Sequence, residues 1–238
     1  MNEEMQGALA GRAALYDLLA SLYFRPLTGE QVEEFASADL SPYAELNELC
    51  AQGAHDMESY LAKRHSGTRQ ELAIDFTGCF GGTSTWEGRT CVPYESVFRS
   101  EEGLLYQEPY HQLYETYRSC GVTRREGFDF PDDHLSLMFE FLSLLATRAA
   151  EALAANDTAS ALADLRVSLD VVENHVASWF PDLRDLALEL LNTRFYRGVL
   201  RITEGFVQFD AESLREMCAE LEGLSSQSGT VVQPERRG

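Results

Sequence analysis

An all-α fold, a single globular bundle of about nine or ten helices, is predicted by three features of the sequence. Apolar residues recur at spacings of three and four along most of the chain. Residues that start and stop helices punctuate those stripes at helix-length intervals. No stretch alternates with the period of two that a half-buried strand requires. The 238 residues, 45% of them hydrophobic, suffice for the core of one large domain.

Leu9, Ala13, Tyr16, Leu19, Leu22 and Tyr23 form the first stripe, over residues 5–24, which Arg25 and Pro26 end. Thr28 with Gln31 has the form of a capping box opening a short helix. Ser41 and Pro42 open another, whose stripe runs from Tyr43 through Cys50 and Met57 to Leu61 before Gly67 stops it. Thr68 with Glu71 repeats the capping pattern ahead of Leu72, Phe76 and Phe80, and Gly81 and Gly82 terminate that helix. From Gly81 to about Glu102 the period disappears, yet Trp86, Val92, Tyr94, Val97 and Phe98 fall there; a long loop rich in aromatic residues reads as functional rather than disordered.

Pro109 then opens a helix carrying Tyr110, Leu113, Tyr114 and Tyr117, closed by Gly121. Pro131 opens the helix expected to be the longest, with Leu135, Met138, Phe139, Leu142, Leu145 and Ala149 on one side. Beyond Asn156 and Asp157 come a helix from Leu162 to Trp179, a short one after Pro181, one over 195–207 and one bearing Leu214, Met217 and Leu221. One helical domain over residues 1–224 and a disordered polar tail over 225–238 follow from this pattern.

The formal charge of −20, from 39 acidic against 19 basic residues, opposes binding to nucleic acid or anionic lipid and favours a cationic ligand, although acidity also serves solubility alone. Five cysteines, widely spread and without a CxxC pair, indicate reduced thiols rather than a disulfide framework or zinc site. With neither a signal-peptide pattern at the start nor an apolar run long enough to span a bilayer, the expected location is the cytoplasm.

The usual signatures of chemistry are missing: HExxH, GxxxxGK[ST] and GxGxxG do not occur, and no histidine lies at helical spacing from another histidine or cysteine. No catalytic residue, metal site or cofactor is therefore expected, and the chain reads as a binding protein and not an enzyme. The remaining constellation is PDDH, Pro131 to His134. Proline at the first helical position and carboxylates in the first turn suit a helix start, which accounts for Pro131 and Asp132 without further function. A histidine there is not called for on that ground, so a ligand-contacting role stands beside the capping one. Asp133 and His134, as sequence neighbours, diverge around a helix and form no relay with each other.

Three segments, in order, resemble the TorD/DmsD family of molybdoenzyme maturation chaperones, related to NarJ. They are DFTGCFGG followed by CVPYESVF (75–98), FPDDHLSLMFEFLSLLA (130–146), and HVASWFPDL with FYRGVLRITEGFVQFD (175–210). The resemblance covers about residues 5–220. It departs where the family pattern has Glu directly before the proline: this chain has Phe130, with Asp129 the nearest acid.

The resemblance implies a cytoplasmic chaperone that binds the twin-arginine signal peptide of a DMSO- or TMAO-type reductase and holds it until the molybdenum cofactor is inserted. It also implies weak GTP binding; the oligomeric state is left open between a monomer and a helix-exchanged dimer, for which a long hinge near residues 121–130 leaves room. Guanidinium groups pair with carboxylates in charge-assisted bonds, for which Asp129, Asp132 and Asp133 are the candidates. The leader's apolar run needs a groove, for which Tyr23, Phe80, Trp86, Tyr94 and Phe98 are the candidates, although Tyr94 and Phe98 equally suit loop anchors. Glu95 and Ser96 lie within the same element, and Pro131 and His134 complete the motif, His134 either meeting the peptide backbone or fixing the loop at Tyr94 to Phe98. The alternatives are a metal-dependent helical hydrolase built on the PDDH segment and a GTP-responsive regulator.

Overall fold

The computed structural model of the chain describes residues 2–123 and 130–228, the side chains of 2 and 225–228 excepted. Eleven α-helices are formed among them: α1 (Asn2–Phe24), α2 (Gly29–Ser37), α3 (Ser41–Ala44), α4 (Glu48–Leu61), α5 (Thr68–Cys79), α6 (Glu95–Arg99), α7 (Glu108–Ser119), α8 (Leu135–Ala154), α9 (Thr158–Asp170), α10 (Phe180–Leu190) and α11 (Arg194–Ser228). A π-helical turn, Val171–Val176, continues α9. Among the described residues the only extended pairings are two isolated bridges, Trp86 with Arg89 and Tyr94 with His134.

Helix starts follow the local chemistry where the cap side chain is free to act. Thr28 Oγ1 accepts from Gln31 N–H and Gln31 returns a bond to Thr28 N–H, so the expected capping box forms. Thr68 and Glu71 do not make one: Thr68 Oγ1 accepts from His65 N–H, Glu71 takes the Tyr60 hydroxyl, and Gly67 caps α5 without a side chain. The stripe read as one helix from Ser41 to Leu61 is broken, because Asn47 Oδ1 accepts Cys50 N–H and starts α4 afresh. Asn47 Nδ2 also donates to Gly205 O on α11, which ties the new start to the core.

The largest departure is at the carboxyl end. The two helices expected over 195–207 and around 214–221 are one, and the resulting 35-residue α11, not α8, is the longest. Asp210 interrupts the apolar stripe, but its carboxylate is buried, paired with Arg12 and receiving the Tyr16 hydroxyl at 2.6 Å, so it belongs to the inner face. The helix runs to Ser228, four residues into the segment 225–228 of the expected disordered tail; residues 229–238 lie outside the description.

Two long pairings organise the core. α1 packs along α8 and α4 along α11, while α9 bridges α8 and α11. Tyr16, Tyr23, Phe139, Phe195, Tyr196, Trp179 and Phe180 fill the space between them. Asp75 of α5 accepts from the N–H groups of Asn192 and Thr193, both at 2.8 Å, and thereby caps the entry to α11.

Candidate functional site

The PDDH segment does not open a helix at Pro131. His134 N–H donates to Pro131 O in a turn, α8 begins at Leu135, and His134 itself is the N-cap, its Nδ1 accepting Ser136 N–H at 3.1 Å. The turn exists because the chain must meet the middle loop. Leu135 N–H donates to Pro93 O at 2.9 Å, Glu95 N–H to Asp133 O at 3.0 Å and Ser96 N–H to Asp133 Oδ2 at 2.8 Å. The last two donors belong to the first turn of α6, so the backbone carbonyl and the carboxylate of Asp133 together satisfy the start of that helix. The two segments that the sequence singles out are thus neighbours, joined by backbone bonds.

Their contact is mostly structural. Pro131, Asp132, Asp133, His134, Glu95 and Ser96 are all buried. Glu95 Oε2 lies 2.9 Å from His175 Nδ1 and its other oxygen 3.4 Å from Arg99 Nη1; burial pushes its carboxyl above the usual range, against the pull of His175 and Arg99. Burial likewise pushes the His134 imidazole down to about 3, so the ring is neutral. Asp133 Oδ1 has no hydrogen-bond partner among the described residues.

The aromatic candidates separate. Tyr23 and Phe80 pack on each other in the core, their ring centroids 5.2 Å apart, with the Tyr23 hydroxyl bonded to Thr203. Turning either outward to line a groove would forfeit roughly 1.5–3 kcal/mol of burial, so neither serves as a groove wall. Phe98 is half-buried and stacks on Trp179 at 5.4 Å. Trp86, 45% exposed, sits in a tight turn closed by mutual backbone bonds with Arg89. Tyr94 is half-buried with its ring edge-on to His134 at 4.8 Å; burial, Asp133 and the neighbouring Tyr106 push its phenol up to about 12. From there a row of rings continues through His134 to Phe130 and Phe24, with Arg25 over the Phe24 face. Asp129 lies outside the described residues.

An open cavity of about 940 Å³ adjoins this row, between the carboxyl half of α1, α7 and the amino half of α8. Phe24, Tyr114, Tyr117, Leu137, Phe141 and Leu144 give it an apolar wall. Asp17, Asp132 and Glu140 contribute acids, and Arg25 and Arg118 bases. Asp132 is the one motif residue that reaches it; the Asp132 carbonyl also accepts the Tyr117 hydroxyl at 3.1 Å. Of the loop candidates, none lines it.

Asp17, Glu140, Tyr114 and Leu144 had no place among the sequence candidates, although a signal for them exists. The amino half of α8 is apolar over more of its circumference than one core stripe needs. Leu137, Glu140, Phe141 and Leu144 make a second face at spacings of three, four and seven, and Asp17 and Phe24 on α1 stand seven apart.

Among the described residues, no three His, Cys, Asp or Glu side chains converge as a metal site would require, and no helix is long and apolar enough to cross a membrane. Asp133 Oδ2 and His134 Nδ1 both accept backbone N–H groups.

Scaffold and cavity together describe an all-helical protein with an open, apolar-walled cavity that carries acids. The chain belongs to the nitrate reductase delta subunit family, whose model matches residues 43–185. It is 27% identical over 225 residues to the chaperone protein TorD of Vibrio cholerae serotype O1, covering 92% of this chain and 99% of that protein. With the chaperone protein TorD of Vibrio vulnificus it shares 26% over 220 residues, 90% and 99% of the two chains, and with that of Photobacterium profundum 25% over 208 residues, 85% and 94%. The TorD-family resemblance carried by the three sequence segments is therefore shown, and the class is that of chaperones rather than catalysts.

Proposed function

We propose that this protein is a cytoplasmic chaperone that holds the twin-arginine leader of a molybdenum-cofactor reductase, of the DMSO or TMAO type, until the cofactor is in place and export can begin. The observation that carries this reading is the cavity between α1, α7 and α8, in which three carboxylates stand against a wall of aromatic and aliphatic side chains. Such a leader couples a cationic segment to an apolar run. Guanidinium groups pair with Asp17 and Glu140, both exposed at the mouth, with Asp132 adding negative potential from the buried side. The apolar residues that follow lie against Tyr114, Phe141 and Leu144.

In this reading Asp133 and His134 contribute by building the cavity edge rather than by touching the leader. The test is calorimetric titration with a synthetic twin-arginine leader. Replacing both leader arginines by glutamine should weaken binding about a hundredfold, as expected for two charge-assisted contacts. Asp17→Asn and Glu140→Gln should each cost about three- to tenfold, since exposed pairs contribute only about 1 kcal/mol. Equal affinity across the arginine series overturns the reading.

A further inference from the structure

Beyond the cavity, the segment between α6 and α7 presents Leu104, Leu105 and Tyr106 to solvent, at 49%, 38% and 53% exposure. Three consecutive large apolar residues on a surface loop are expensive to leave uncovered. They are also held firmly. Leu104 N–H donates to Ser100 Oγ, Gln107 Nε2 to Leu105 O, and Gln107 N–H to Ser96 Oγ. Ser96 is the residue whose own N–H is bound by Asp133, so the knuckle is tethered to the PDDH motif through one side chain.

Tyr106 has φ +59°, a left-handed conformation that bulky side chains rarely adopt. Its ring nevertheless packs edge-on against Tyr110 at 5.1 Å. Tyr110, Tyr114 and Tyr117 then follow at spacings of four and three on α7, which places them on one face leading into the cavity. Around the knuckle the side chains are acidic: Glu101, Glu102 and Glu108 are exposed, and residues 100–110 contain no lysine or arginine.

We propose that the Leu104–Leu105–Tyr106 knuckle is a second contact for the leader, gripping its apolar run downstream of the residues in the cavity. The inference rests on the leader-binding reading and extends it along α7. Its occupant is a peptide whose apolar run follows arginines, because an apolar patch with exposed glutamates beside it in the chain, joined to an acid-bearing cavity along one face of α7, complements that charge order. Tyr117 to Tyr110 spans seven residues, about 10 Å at 1.5 Å per residue. An extended peptide covers that distance in about three residues, so the leader positions at the knuckle lie about three to five beyond those in the cavity.

The test is a binding cycle with three synthetic leaders: the full sequence, one with the downstream apolar residues changed to serine, and one with both arginines changed to glutamine. Each is titrated against the native protein and against Leu104→Ser/Leu105→Ser, two exposed positions whose change leaves the core untouched; Tyr106→Gly, which relieves the backbone, is a second variant. Loss of about tenfold or more for the full leader on the double variant, no further loss for the serine leader, and an unchanged arginine penalty are expected. Equal affinity of the full leader for both protein forms overturns the knuckle while leaving the cavity reading intact. A change in sedimentation without a change in leader affinity also overturns it, since the patch would then join copies of the chain. Failure of the full leader to bind either form sinks the cavity reading and this inference with it.

Discussion

His134 shows how a single residue is turned from a surface signal into a structural one. Its Nδ1 caps α8 by accepting Ser136 N–H, which places the ring proton on Nε2, and the rings of Tyr94 and Phe130 close around it. Burial lowers its folded pKa to about 3, whereas an unfolded histidine titrates near 6.5. Below about pH 6.5 the unfolded chain therefore takes up a proton that the folded chain refuses. The stability His134 contributes is complete above that pH and falls by about 1.4 kcal/mol per pH unit on the way down toward 3. Asparagine keeps a cap acceptor without titrating. Urea unfolding of the native protein and of His134→Asn, compared at pH 7 and pH 5, should show the native form losing about 2 kcal/mol more over that interval, whatever constant offset the substitution introduces. Parallel pH profiles would mean that the ring is solvated and titrates normally.

At the scale of elements, α4 and α11 cross closely at a pair of glycines. A Cβ on Gly198 would lie 2.6 Å from Gly53 O, and one on Gly53 would lie 2.6 Å from Gly198 O and 2.9 Å from Ile202 N. Backbone cannot move aside as a side chain tip can. Gly198→Ala should therefore destabilise by about 1–3 kcal/mol, the cost of overpacking, despite the gain of up to about 1 kcal/mol in helix propensity. Gly11→Ala on α1, where nothing lies within 4 Å, should stabilise by about 0.5–1 kcal/mol; thermal unfolding of both variants checks the contrast. The sequence announces elements of this kind unevenly. Thr28 and Gln31 can be read correctly because their partners are three residues apart and nothing else competes for them. Thr68 and Glu71 mislead because their side chains are taken by His65 N–H and the Tyr60 hydroxyl, and Pro131 misleads because its carbonyl accepts His134 N–H in a turn while Leu135 N–H, at the true helix start, is bonded to Pro93 O. Asp210 hides the continuity of α11 for the same reason, its match Arg12 standing near the other end of the chain. The π-helical turn at Val171–Val176 adds a residue to a helical ladder and leaves no trace in a pattern of apolar spacings.

Taken whole, the molecule assembles its cavity from Asp17 to Leu144, across three helices, so no local motif can spell it out. PDDH and the middle loop are legible as a pair because each carries unusual residues for its position, and they do meet; what they build together lies beside them, with Asp132 as the shared residue. The property that needs no folding to be read is charge. At −20 the chain surrounds the cavity with a negative field, and its two cavity arginines offset only part of the local acidity. A cationic leader should therefore be drawn in from a distance, and the field should act on the rate of encounter more than on the bound state. The Debye length shrinks from about 30 Å at 0.01 M salt to about 8 Å at 0.15 M, which removes the long-range part of the attraction and acts less on groups already in direct contact. In stopped-flow measurements with a fluorescent leader, the association rate should fall about tenfold or more over that range, and the dissociation rate should change less than about threefold. A leader with both arginines replaced by glutamine should show a nearly flat association rate. If dissociation carries the salt dependence instead, the charges act within the bound complex and not on the encounter, and long-range steering by the negative charge of the chain is ruled out.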